Sequence, residues 1–356
     1  MSTESKKLTS VKIYSEKLFF IGSILVSLGI LLVTVGGSWD ITNHLLNKPE
    51  SFFSSPHALM YSGVTTSLVG VALSFISWRN LSKKKSVYSK SLKIQLIGIA
   101  LLIGAGPFDF VWHSNFGLDG LLSPPHLTLI FGMLLCSVGG MFGITRYLNF
   151  NHSLDFPTHY LLILGTLPMW LAGSGVISSL SLPFSNTDYF EFNPEPTFAF
   201  VVATLAYPFL ISFSVLLTSR LSGFRFGMIS IVGGLFLLIY GSTAIVPNFA
   251  LLDSVVFYSL NLIPFVMSDV LVSFKKLKLL FLVGGLLGSA FYMIYYPYVM
   301  YTFNEILLGK LVSPSMIYFV YFELMEKVFL ITIIPATLSG IFGAFVSRKL
   351  SGYILK

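Results

Sequence analysis

Eight residues of metal-ligating type fall in two sets with one spacing: Asp40, His44, Glu50 and His57, then Asp109, His113, Asp119 and His126, each member displaced by 69 positions. Both sets read Asp-x3-His-x5-acid-x6-His with proline directly before the last histidine, and they use four of the six histidines in the chain. A random scatter of so few histidines would rarely reproduce a four-ligand spacing, so the pattern reads as an internal duplication that keeps a chemical site. Asp40 and His44, like Asp109 and His113, are four residues apart, which on a helix places each pair on one face about one turn apart. Proline suits the first turn of a following helix, so a hairpin returns the last histidine to the membrane level of the first pair. Each set then offers two imidazoles and one carboxylate. Glu50 or Asp119, in the connecting loop, is a further ligand or a partner that orients an imidazole. Two histidines and a carboxylate without sulfur suit copper, zinc or non-haem iron.

The elements that must position these sets are membrane spans. The 356 residues are 54% hydrophobic and 10% charged, with mean hydropathy +0.82. The apolar runs reach about twenty residues, the length that crosses a bilayer as helix. The reading is an all-α, polytopic transmembrane helical bundle of about ten spans, near 18–39, 57–78, 92–112, 125–147, 159–182, 197–219, 227–247, 251–273, 278–299 and 316–347. Residues 1–147 form a four-span metal-binding module with the duplicated hairpins, and residues 148–356 a six-span region whose role the pattern leaves open. The last run is longer than a bilayer needs and is expected to tilt, to kink at Pro335 or to extend out of the membrane.

Charge orients the bundle. Lys6, Lys7, Lys12, Lys17, Arg79, Lys83–Lys85, Lys90, Lys93, Arg146, Arg220, Arg225, Lys275, Lys276, Lys278, Arg348, Lys349 and Lys356 all fall on one side of ten spans. The other side has only Lys48 and Lys310 as bases. By the positive-inside rule both termini are cytoplasmic and the two ligand sets face the extracytoplasmic side of the cell membrane. The net charge of +7 therefore reflects topology and implies no nucleic-acid partner; the partners expected are the lipid bilayer and other membrane subunits. The first apolar run is too long for the core of a signal peptide and is expected to stay as the first helix.

Other features carry less chemistry. The single cysteine, Cys136, excludes an intramolecular disulfide and a thiolate cluster. There is no P-loop, dinucleotide fingerprint or serine-hydrolase elbow. His152 and His159, flanking Asp155, read as surface or interface residues, Asp253 and Asp269 as groups near the two ends of the eighth run, and Glu323 with Lys327 as a mutually neutralising pair near Glu326. The aromatic stretch 291–303 reads as an interfacial belt, and the glycines of 284–289 as close helix packing.

The second set also resembles a known signature. Asp109, Trp112 and His113, then Asp119, then Ser123, Pro124, Pro125 and His126 are similar to the Asp-x2-Trp-His…Arg-Asp-Thr-x-Phe-Thr-Pro-Ser-His pattern of the C subunit of particulate methane and ammonia monooxygenases. Leu118, Asp119 and Gly120 stand where that pattern has Arg-Asp-Thr. The family has a second set, Asn-x3-His…His, about seventy residues further on, close to the offset here. By order Asp40, His44 and His57 match its first set; by wording the second set here does. The resemblance covers roughly residues 30–145. It implies copper held by Asp109, His113 and His126 in an enzyme that oxidises a small apolar substrate with partner subunits. A copper or zinc transporter, a metal-loading factor, or a scaffold whose metal only ties the hairpins together would use the same ligands.

Overall fold

The structure is a computed structural model and describes residues 3–45, 48, 51–81, 85–117, 119–150, 158–181, 192–247, 249, 252, 255–295 and 326–355. Eleven α-helices account for most of them: α1 Thr3–Leu45, α2 Ser55–Asn80, α3 Lys85–Phe116, α4 Pro124–Phe150, α5 Leu161–Ser181, α6 Pro196–Leu221, α7 Met228–Ile245, α8 Val255–Leu260, α9 Leu262–Ser273, α10 Leu277–Ala290 and α11 Glu326–Ile354. Nine helices of the described residues are long and apolar enough to cross a membrane, so the chain is an all-α, multi-pass membrane bundle. The apolar run expected as an eighth span is instead two short helices, α8 and α9, broken at Asn261. Asp269 in α9 is buried. It accepts the N–H groups of Ile229 and Ser230, at 3.1 and 2.7 Å, and so caps the start of α7.

Hydrocarbon gives helices no hydrophobic drive to associate, so membrane helices pack where small residues let backbones approach. The duplication is written into that packing. In the first hairpin a Cβ added to Gly29 would meet the Gly63 carbonyl and Ser67, and one on Gly70 would meet Gly22 and Val26. In the second, Gly98 meets the Gly132 carbonyl and Cys136, and Gly139 meets Ser91 and Gln95. Each of these residues stands 69 positions from its counterpart. Ser67 donates to the Val26 carbonyl at 3.2 Å and Cys136 to the Gln95 carbonyl at 3.8 Å, again in register. Cys136 is thus a packing residue. The hairpins then join through α1 and α4, where Ser23 and Ser27 lie against Gly140 and Gly143.

The remaining helices bury a larger core around Trp170, Tyr207, Phe236 and Phe265. The expected glycine contact is present: Gly284 and Gly288 of α10 lie against Gly340, Ala336 and Ala344 of α11. Only residues 291–295 of the aromatic stretch are described, as one π turn continuing α10. His152, Asp155, Asp253 and Glu323 lie outside the described residues.

Candidate metal centre

The second ligand set converges. Asp109 and His113 stand one turn apart near the end of α3, and His126 enters at the start of α4 behind Pro124 and Pro125. Asp109 Oδ1 lies 3.4 Å from His113 Nε2 and 3.3 Å from His126 Nε2, and the two Nε2 atoms are 3.4 Å apart. Among the described residues this is the one group of three or more His, Cys, Asp or Glu whose ligand atoms all lie within 4.8 Å of one another.

The triangle has the right size for an ion. With bonds of about 2.0–2.1 Å to nitrogen and oxygen, two ligands of a tetrahedral ion stand about 3.3–3.4 Å apart. Three protein ligands would leave a fourth position open, the arrangement of sites that do chemistry rather than only hold structure.

The imidazoles are held with Nε2 inward. His113 Nδ1 lies 2.7 Å from the Gly117 carbonyl, an acceptor only, so Nδ1 carries the proton. Gly117 sits at φ 68°, in the left-handed region. It closes α3 by donating its N–H to the His113 carbonyl at 3.0 Å, a turn for which glycine pays least. His126 Nδ1 faces the Gly120 carbonyl at 3.2 Å, Ser123 Oγ at 2.9 Å and Asp119 Oδ1 at 3.6 Å. With each Nδ1 turned to these acceptors, both Nε2 atoms are left facing one Asp109 oxygen at 3.3–3.4 Å, a donor set that could hold a metal ion.

Asp119 is accordingly on the far side of His126 from the point of convergence. It is buried, and its other oxygen accepts the Trp112 indole N–H at 2.6 Å. Its place is that of an orienting partner for an imidazole. Gly120 permits a roof over this loop: a Cβ there would collide with the Phe192 carbonyl oxygen, and Leu122 donates its N–H to that same oxygen at 3.1 Å. The segment is anchored by Glu195, which caps α6 by accepting from Thr197 N at 2.9 Å and Phe198 N at 2.8 Å. Those two backbone hydrogen bonds, Thr197 first, hold the Glu195 carboxyl below the usual carboxylate range. The cap is therefore complete above that range and lost as pH falls through the lowered value. The roof is a part of the site that motif reading missed; its sequence signal was glycine at 120 where the first set has Ser51.

The first set is built on the same plan and ends differently. His57 Nδ1 faces the Ser51 carbonyl at 3.1 Å, the counterpart of the contact between His126 and Gly120. His57 Nε2 lies 3.3 Å from Asp40 Oδ1. His44 Nε2, however, lies 3.6 Å from the other oxygen, Oδ2. One carboxylate thus separates two imidazoles instead of joining them at a point. The sequence difference is Lys48 where the second set has Gly117: Lys48 N bonds the Asn43 carbonyl at 3.0 Å, so the chain leaves α1 by another route. The Lys48 ammonium and Thr42 hydroxyl tie this end to Pro247 and Thr243 beyond and within α7, both at 3.1 Å. Glu50 lies outside the described residues. Phe52 touches both hairpins at the surface, its ring centroid 5.1 Å from Tyr61 and 5.4 Å from Phe110.

No family model, curated protein or solved structure matches the chain.

Proposed function

We propose that the chain is an integral membrane metalloprotein that holds a copper ion between Asp109, His113 and His126 and takes part, as a subunit of a membrane monooxygenase, in oxidising a small apolar substrate. The observation that carries this reading is the convergence of one carboxylate oxygen and two imidazole nitrogens on a triangle with 3.3–3.4 Å edges. Copper is chosen over zinc and iron by the resemblance of residues 109–126 to the copper-binding signature. The basic residues at the opposite ends of the helices favour an extracytoplasmic placement of the site.

Each residue has a part in that function. Asp109 brings the one formal negative charge among the three ligand atoms. The Gly117 and Gly120 carbonyls orient the rings of His113 and His126, and Asp119 adds a carboxylate beside the outer nitrogen of His126. Copper bound there would supply the redox chemistry that activates oxygen. The wall beside Asp109 is apolar and faces outward, with Phe108, Phe110 and Val111 of α3 40%, 54% and 57% exposed. A hydrocarbon-like substrate dissolved in the acyl phase reaches the site from that side without crossing water. Electrons come from a partner membrane subunit.

The test is oxygen-dependent hydroxylation of a short-chain hydrocarbon by copper-supplied membranes. His113→Ala and His126→Ala are expected to abolish it while the folded protein persists at the same level in detergent. Loss of cellular copper accumulation in those variants, with no oxidation by the unaltered protein, would contradict the oxidative reading and favour transport.

A further inference from the structure

At the basic end of the bundle, opposite the metal centre, α6 ends and α9 turns into α10 around a cavity of about 140 Å³ lined by Arg220, Phe224, Lys275, Lys276 and Leu277 among others. Three of these side chains are cationic. Arg348 of α11 adds its positive field to Arg220. Arg220 spends Nε on the Ser351 hydroxyl at 2.7 Å, and its terminal nitrogens take no hydrogen bond among the described residues. Among those residues no carboxylate stands within 4.0 Å of Arg220, Lys275, Lys276 or Arg348. Gathering like charges without a counter-charge costs free energy, which a bound anion repays.

Two further observations fall on the same cavity. Phe224 at φ 60° and Lys275 at φ 56° are the non-glycine residues of the described chain in the left-handed region, and both line it. Each closes a helix, Phe224 donating its N–H to the Ser219 carbonyl at 2.7 Å and Lys275 to the Val272 carbonyl at 2.9 Å, and a bulky side chain in that conformation is strained. The turn after α9 puts both Lys275 and Lys276 on the cavity wall, and the turn after α6 puts the Phe224 ring 5.4 Å from the Arg220 guanidinium carbon. The start of α10 also lies here: Lys276 is its first flanking residue, and no side chain caps it. An uncapped helix start offers backbone N–H groups and positive potential to an anion.

We propose that this cavity binds a phosphate anion, and that its place at the membrane surface makes an anionic phospholipid headgroup the source. Arg220 supplies a fork for two phosphate oxygens, Lys275 and Lys276 supply point charges, and Leu277 and Phe224 lie against the glycerol and upper acyl carbons. The proposal does not depend on the metal centre.

The experiment is native mass spectrometry of the full chain in detergent, titrated with phosphatidylglycerol, phosphatidylcholine or inorganic phosphate. Phosphatidylglycerol is expected to be retained at least tenfold more than phosphatidylcholine. The double variant Arg220→Gln, Lys276→Gln should remove that preference, and Lys276→Arg should keep it. Lys275→Gly separates binding from folding, because glycine relieves the backbone strain: lipid retention should fall while the thermal midpoint stays level or rises. Inorganic phosphate that binds and is lost in the double variant, without preferential lipid retention, would support the anion site and overturn the lipid as its source. Equal retention of both lipids with no phosphate bound, or retention unchanged in the double variant, would overturn the site itself.

Discussion

The two hairpins share a backbone plan down to single hydrogen bonds, yet one gathers its ligands at a point and the other spreads them along a carboxylate. In both, the returning histidine takes a carbonyl six residues back and faces the aspartate at 3.3 Å. In both, a serine or cysteine of the returning helix bonds the same position of its partner helix. What differs is how the outgoing helix ends. Gly117 takes the left-handed turn and presents its carbonyl to His113, whereas Lys48 sends the chain toward α7. Exposure differs in the same sense: the Asp109 side chain is 32% exposed and Asp40 17%. One hairpin thus ends in an open site and the other in a closed bridge, and the proposed metal chemistry belongs to the open one.

The largest expected effect follows directly. His113→Ala or His126→Ala should weaken metal binding by more than about 100-fold, above the loss typical of outer partners, whereas His57→Ala should leave the bound metal unchanged; isothermal titration of the purified protein reads both.

Gly120→Ala drives a methyl group into the Phe192 backbone and is expected to cost about 1–3 kcal/mol of stability, read as a lowered thermal midpoint in detergent. Ser51→Ala, at the matching position of the first hairpin, should be silent, because Ser51 already carries a Cβ.

Gly117→Lys gives the second hairpin the residue of the first. It places a side chain at φ 68°, costing about 1–2 kcal/mol, and displaces the carbonyl that fixes His113. Metal affinity should drop about tenfold, as for other orienting partners. If affinity holds, helix termination is not what separates the two sets.

The smallest effect is expected from Cys136→Ser, which copies Ser67 into the second hairpin. The hydroxyl can donate to the Gln95 carbonyl as Ser67 does to Val26, so stability should change by less than about 1 kcal/mol, again read from the thermal midpoint.

Much of this was legible in the sequence because it depends on local spacing. Four-residue separation puts Asp109 and His113 on one helix face, Pro125 sets the return of His126, and the 69-residue offset announces the paired hairpins. The spans were legible from apolar run length, apart from the break at Asn261, whose sequence mark is Pro264: it cannot donate to the carbonyl of Leu260 and suits the first turn of a new helix. The rest rests on contacts distant in sequence. That Asp119 would turn to Trp112 and the outer nitrogen of His126, that Phe192 would roof Gly120, and that Asp269 would cap α7 are outcomes of packing between segments. The unequal convergence of the two sets hinged on Gly117 against Lys48, a difference the ligand pattern itself does not contain.

The most direct test is metal content, by elemental mass spectrometry, of the detergent-purified protein beside His113→Ala and His44→Ala. The account predicts close to one copper per chain in the unaltered protein and in His44→Ala, and none in His113→Ala. No metal in any of the three, or the same metal content in all, would contradict the assignment of the centre to Asp109, His113 and His126.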